Sequence, residues 1–164
     1  DNMTERLAAL ACLVNSPFTD EAEHALASFA ERFEDDPLVM DQWFSVQAAA
    51  ALPDGLERVE HLLKHPAFSI KNPNKVRAVV GAFTQNTPNF HAIDGSGYAF
   101  LADKVIKLDA LNPQMAARML SPLTRWQRFD LHQQEMMQSQ LQRVRGSGDL
   151  SADLFEVLEK SLAV

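Results

Sequence analysis

The sequence predicts an all-α protein: an α-solenoid or superhelix of stacked antiparallel helix pairs, of the HEAT or armadillo kind. Three observations carry that expectation. No segment alternates apolar and polar residues over five or more positions between turn residues, so strand signals are nearly absent. Apolar residues recur instead at spacings of three and four along most of the chain. Finally, Asp36-Pro37, Asn72-Pro73 and Asn112-Pro113 form one repeated helix start, returning after 36 and then 40 residues (36 to 72, 72 to 112). A two-helix unit of about 40 residues cannot bury its apolar face alone and needs a stacked neighbour. A plain helical bundle sharing these starts is the alternative.

The elements follow in order. Leu7, Leu10 and Val14 give a first helix over 3–14, which Ser16-Pro17 ends. Thr19 is expected to cap the second, with Asp20, Glu21 and Glu23 at its positive end and Ala22, Leu26, Phe29 and Phe33 inward. Asp36 caps the third and Pro37 takes its first position, where the missing N–H costs nothing. Leu38, Trp43, Phe44 and Val46 supply its bulk, and Ala48 to Ala51 allow close packing. Asp54 with Glu57 resembles a capping box for a fourth helix over 56–64. Asn72-Pro73 opens a helix with Val76, Val79, Val80 and Phe83 inward, and a looser stretch follows over 85–97. Residues 98–111 are helical, with Phe100, Leu101, Val105 and Leu108 inward. Asn112-Pro113 starts the next helix, which Pro122 kinks or ends. Asp130 caps a helix to Arg145 carrying Met136, Leu141 and Val144. After a Gly146-Ser147-Gly148 turn, Ser151 caps the last helix, with Leu154, Phe155, Leu158 and Leu162.

Length and charge bound the function. With 164 residues, 46% hydrophobic and 23% charged, the chain suits one soluble domain over 1–164 that buries about 70% of its unfolded surface. No apolar run approaches the roughly 18–20 residues that span a bilayer, and no basic-then-apolar leader stands at the start. Beginning at Asp1 suggests a piece of something longer. The net charge of −7 is uneven: residues 1–60 hold 13 acidic and 3 basic side chains, residues 61–164 hold 9 and 12. An acidic chain repels phosphate backbones, so nucleic acid is not an expected partner, and the run Arg118, Arg125, Arg128, Arg143, Arg145 reads as a solvated face. Cys12, the single cysteine, lies in an apolar run and reads as a small buried thiol, compatible with a reducing, cytoplasmic location.

No self-contained catalytic constellation emerges. His61 and His65 lie four apart on one helix face, the spacing two zinc ligands need. Leu62, however, stands where H-E-x-x-H places its Glu, and no third ligand follows at a helical offset. Solvated or capping histidines are the preferred reading. Gly95-Ser96-Gly97 lacks nucleophile-elbow and P-loop spacing and reads as a turn, with Ser96 capping the helix after it. What remains is a curved inner surface on which Gln114 and Arg118, one turn apart, could meet a peptide. On sequence alone, surface exposure with the Arg stem laid over the core is the plainer account.

Six stretches carry a family resemblance that runs from the first residue to the last few. They are DNMTERLAAL (1–10), VMDQWF (39–44), NPNKVRAVVGAF (72–83), FHAIDGSGYAFLAD (90–103), LNPQMAARMLSPLTRW (111–126) and LSADLFEVLEKSL (150–162). On them the chain resembles the C-terminal domain of bacterial aminopeptidase N, a zinc-dependent gluzincin family. The resemblance implies an armadillo- or HEAT-like superhelix within a parent enzyme that removes N-terminal amino acids from peptides. The parent's zinc and catalytic residues would lie in a separate upstream domain, and this chain alone would hydrolyse nothing. Its implied role is a lid that packs on the catalytic domain, encloses the active-site cavity and limits peptide access, with Arg118 and Gln114 lining that cavity. A free-standing α-solenoid adaptor is the alternative.

Overall fold

The computed structural model describes residues 2–163, and among them every regular element is helical. The chain forms two compact units, Asp1–Asn89 and Phe90–Val164.

The first unit holds α1 (Met3–Val14), α2 (Thr19–Phe33), α3 (Pro37–Ala48), α4 (Gly55–Leu62) and α5 (Pro73–Val76). A π-helical turn, Arg77–Gly81, and α6 (Ala82–Thr84) continue α5 without a break. Helix α3 is the hub, touching α1, α2, α4 and the π turn. Its buried Met40, Trp43, Phe44 and Ala48 meet a core that includes Leu10, Val14, Leu26, Val59, Val79 and Phe83. Burying each large side chain contributes about 1.5–3 kcal/mol, which is what holds such short helices in place. The Trp43 indole donates to the Leu26 carbonyl (3.0 Å), tying α3 to α2. The π turn is held from the same hub: the Ser45 hydroxyl donates to the Ala78 carbonyl (3.0 Å) inside it. The chain leaving α3 is clamped by buried Asn86, whose amide donates to the carbonyls of Ala48 (3.1 Å) and Ala50 (2.8 Å).

The short helix α7 (Thr87–Phe90) leads on to the second unit. That unit comprises α8 (Ser96–Asp109), α9 (Pro113–Met119), α10 (Ser121–Thr124), a 3-10 turn Trp126–Arg128, α11 (Leu131–Arg145) and α12 (Ala152–Leu162). Helix α8 packs against α9 and α11, and α12 packs against α9 and α11 in turn. Tyr98, Leu101, Leu108, Leu120, Leu123, Met137, Leu141, Leu154 and Leu158 are fully buried between them. Two glycines are required here. Gly95 has φ +75°, and a Cβ on Gly97 would stand 2.2 Å from the Phe90 carbonyl oxygen, so α8 begins where only backbone fits. Asp109 anchors the start of α12, accepting from the Ser151 backbone N–H (2.8 Å) and from its hydroxyl.

All three Asx-Pro starts form as expected. Asp36 accepts from the Val39 N–H (3.2 Å), Asn72 from Asn74 (3.0 Å) and Lys75 (3.4 Å), and Asn112 from Met115 (3.1 Å). Asp130 and Ser151 cap α11 and α12. Other local expectations fail. Thr19 is already helical, and Phe18 precedes it without a side-chain cap. Asp54, at φ −92° and ψ 19°, is not extended and makes no cap bond. Ser96 is the first residue of α8, and its N–H and hydroxyl both donate to Asp94 (2.9 and 2.6 Å), which holds the turn. Cys12 is exposed rather than buried because it points away from the Leu10–Val14 face. Leu38 and Phe155 are exposed, and Met137 rather than Met136 is the fully buried methionine of α11. No helix among the described residues is long and apolar enough to cross a membrane.

Candidate functional site

The sequence-derived site residues both lie on α9. Asn112 and Pro113 start this helix, and Met115 and Ala116 turn into the core. One face being fixed inward, Gln114 and Arg118 are carried outward, and both are exposed. Neither side chain makes a hydrogen bond or ion pair with another described residue. The exposure is not confined to one residue. Between Asp109 and Asp130 the sequence contains no carboxylate, and Arg118, Arg125 and Arg128 are all exposed in that interval. The remaining arginines of this unit are engaged: Arg143 pairs with Asp103 (2.8 Å) and Arg145 with Glu159 (2.7 Å). A guanidinium with no carboxylate beside it keeps its five donors for an incoming carboxylate or carbonyl group.

The two histidines of the first unit differ in their surroundings. His61 is exposed, whereas the His65 ring sits against Trp43 and Phe44, at 5.2 and 5.4 Å between centroids. His65 Nδ1 accepts the Ala67 N–H (3.0 Å), which occupies one of its two ring nitrogens. Burial, then the nearby His61 and Lys75 charges, hold its imidazole below the ordinary value. No three His, Cys, Asp or Glu side chains gather as metal ligands among the described residues.

Two polar arrangements escaped the sequence reading. Lys75 is buried, its ammonium bonded to Asp41 (2.6 Å) and the Pro37 carbonyl (3.0 Å) and lying over the Phe44 ring. In the second unit, the buried Tyr98 hydroxyl accepts from Gln133 (3.4 Å) and shares a hydrogen bond with His91 Nδ1 (2.6 Å). The His91 ring stacks on Phe129 at 4.7 Å. Burial lowers the His91 pKa and raises that of Tyr98, the latter opposed by the Gln133 bond and aided by Asp130. His91 and Tyr98 are seven residues apart across a glycine turn, a spacing to which no helical pattern draws attention.

A family described as "Domain of unknown function (DUF3458_C) ARM repeats" matches residues 1–163. The chain is 42% identical over 163 residues to aminopeptidase N of Haemophilus influenzae and 40% identical over 164 residues to that of Escherichia coli. In both cases 99% of this chain is covered but 19% of the relative. The crystal structure of Legionella pneumophila aminopeptidase A in complex with aspartic acid superposes with a TM-score of 0.94 at 38% identity. It too covers 99% of this chain and 19% of that one.

Proposed function

We propose, from the premise that the chain belongs to the ARM-repeat family described as domain of unknown function DUF3458_C, that it is the C-terminal helical domain of a cytoplasmic zinc aminopeptidase. In this reading it is a non-catalytic lid. It packs on the catalytic domain, encloses the active-site cavity and restricts which peptides enter, while the zinc and catalytic residues belong to the rest of the polypeptide. The observation that carries the reading is the near-complete match of this chain to 19% of proteins named aminopeptidase N. The unpaired guanidinium of Arg118, one turn from Gln114, supports a contact with the C-terminal carboxylate or carbonyl groups of a peptide substrate.

The test uses the full-length parent. Arg118→Ala is expected to raise KM for peptides about tenfold, as loss of one charge-assisted hydrogen bond of about 1.5 kcal/mol would do, while kcat on aminoacyl anilides is unchanged. Unaltered kinetics at every peptide length would remove Arg118 from the cavity. Hydrolysis of aminoacyl anilides by the pure isolated chain would overturn the non-catalytic reading itself.

A further inference from the structure

The two most exposed large apolar side chains among the described residues are Ile93 (82%) and Leu131 (77%). Both line one groove of the second unit, about 930 Å³ in volume, with His91, Phe129, His132 and Gln133 among its walls. Single exposed apolar side chains are ordinary, but two at the lips of one apolar-walled groove form a patch. The groove is also held in shape. His132 Nε2 donates to the Ile93 carbonyl (3.0 Å), fixing the backbone that carries Ile93. Leu131 is the first residue of α11, set by the Asp130 cap on Gln133 (2.9 Å). The wall is braced from behind by the stacked His91 and Phe129 rings and by the Tyr98 hydroxyl.

We infer that this groove is the docking surface for the rest of the same polypeptide, which inserts apolar side chains between Ile93 and Leu131. The inference rests on the reading of this chain as one domain of a longer aminopeptidase. The relatives are matched over 19% of their length, so in that reading most of the polypeptide lies outside this chain and needs a face to bury against. The groove's chemistry agrees with a protein surface rather than a small polar ligand. Its walls are mainly apolar, and the polar groups behind them are already spent on one another, Tyr98 with His91 and Gln133, and Asp130 with the Gln133 N–H. Closing an apolar surface over Ile93 and Leu131 removes both from water, the step that stabilises contacts between domains.

The experiment places the photo-crosslinking residue p-benzoylphenylalanine at position 93 of the full-length protein, followed by tryptic mass spectrometry. An intramolecular crosslink to a peptide outside this chain is expected. Crosslinks confined to this chain, or a band of doubled mass from a second copy, would overturn the proposal. Leu131→Asp in the full-length protein is the second arm, with Phe155→Asp, at an exposed side chain of α12, as its comparison. Leu131→Asp is expected to lower Tm, while Phe155→Asp leaves it unchanged. Equal Tm values for the two variants would count against the groove. Aminopeptidase activity of the same preparation is measured separately. Its absence would sink the parent-enzyme reading, whereas an active enzyme without the crosslink would sink the groove alone.

Discussion

At the scale of single residues, Lys75 decides the most. It is 5% exposed, and its ammonium has replaced water by the Asp41 carboxylate, the Pro37 carbonyl and the Phe44 ring. Removing one partner of such a pair leaves a poorly solvated charge behind. Lys75→Ala is therefore expected to lower the unfolding free energy by about 3–5 kcal/mol in urea titrations, and Lys75→Met combined with Asp41→Leu to recover much of the loss. The double variant separates the cost of an orphaned carboxylate from that of lost packing. Nothing local announces this lysine. It follows Asn72-Pro73-Asn74 in a polar helix start, and its partners lie 34 and 38 residues away. Arg118 differs because its outward position follows from the inward Met115 and Ala116 beside it, which helical spacing does reveal. Cys12 shows the limit of that rule: an apolar run names the helix, while the packing of its neighbours selects the buried side.

At the scale of elements, the caps give a sharp contrast. Asn72→Ala and Asn112→Ala each remove an observed side-chain cap and are expected to cost about 1 kcal/mol. Asp54→Ala removes a side chain that caps nothing and is expected to fall within about 0.5 kcal/mol of the parent in the same titration. The three Asx-Pro starts were legible because cap and recipient lie within three residues, so the short sequence contains the whole interaction. Asp54-Gly55-Leu56-Glu57 has the composition of a capping box, but its backbone enters α4 from a turn in which the carboxylate cannot reach the third N–H. The choice of Met137 over Met136, and the exposure of Leu38 and Phe155, depend on which neighbour packs against each helix. Periodicity alone leaves that open by one position.

At the scale of the whole molecule, each unit contains a histidine that resists protonation: His65 in the first and His91 in the second. A base whose folded pKa lies below its unfolded value contributes stability above the unfolded pKa. That stability is lost as pH falls from about 6.5 towards the folded value, because the unfolded chain then binds more protons. Urea midpoints are expected to fall between pH 7.5 and pH 5.5, and His91→Gln to reduce that slope. Asp94 and Glu156 are held below the ordinary carboxylate range by Ser96 and Lys160 respectively. Their contributions disappear only under more acid conditions, so the two windows are separable. The helical class was legible at this scale because 3.6-residue periodicity and repeated starts are summed over the whole chain, where local errors average out. The groove at Ile93 and Leu131 was not, since it is assembled from a turn and a helix start almost 40 residues apart.

The π turn at Arg77–Gly81 bears on how this sequence can change over evolutionary time. Such a turn accommodates one residue more than the α-helical winding would hold, and the Ser45 hydroxyl donates to the Ala78 carbonyl within it. Deleting a residue from a regular helix swings everything after it by about 100° and scrambles the buried face. Deleting one from this turn is instead expected to let the chain rewind as α-helix and keep Phe83 in the core. Among the described helical segments of the first unit, a single-residue deletion is expected to cost least stability in this turn, as urea midpoints of deletion variants would show.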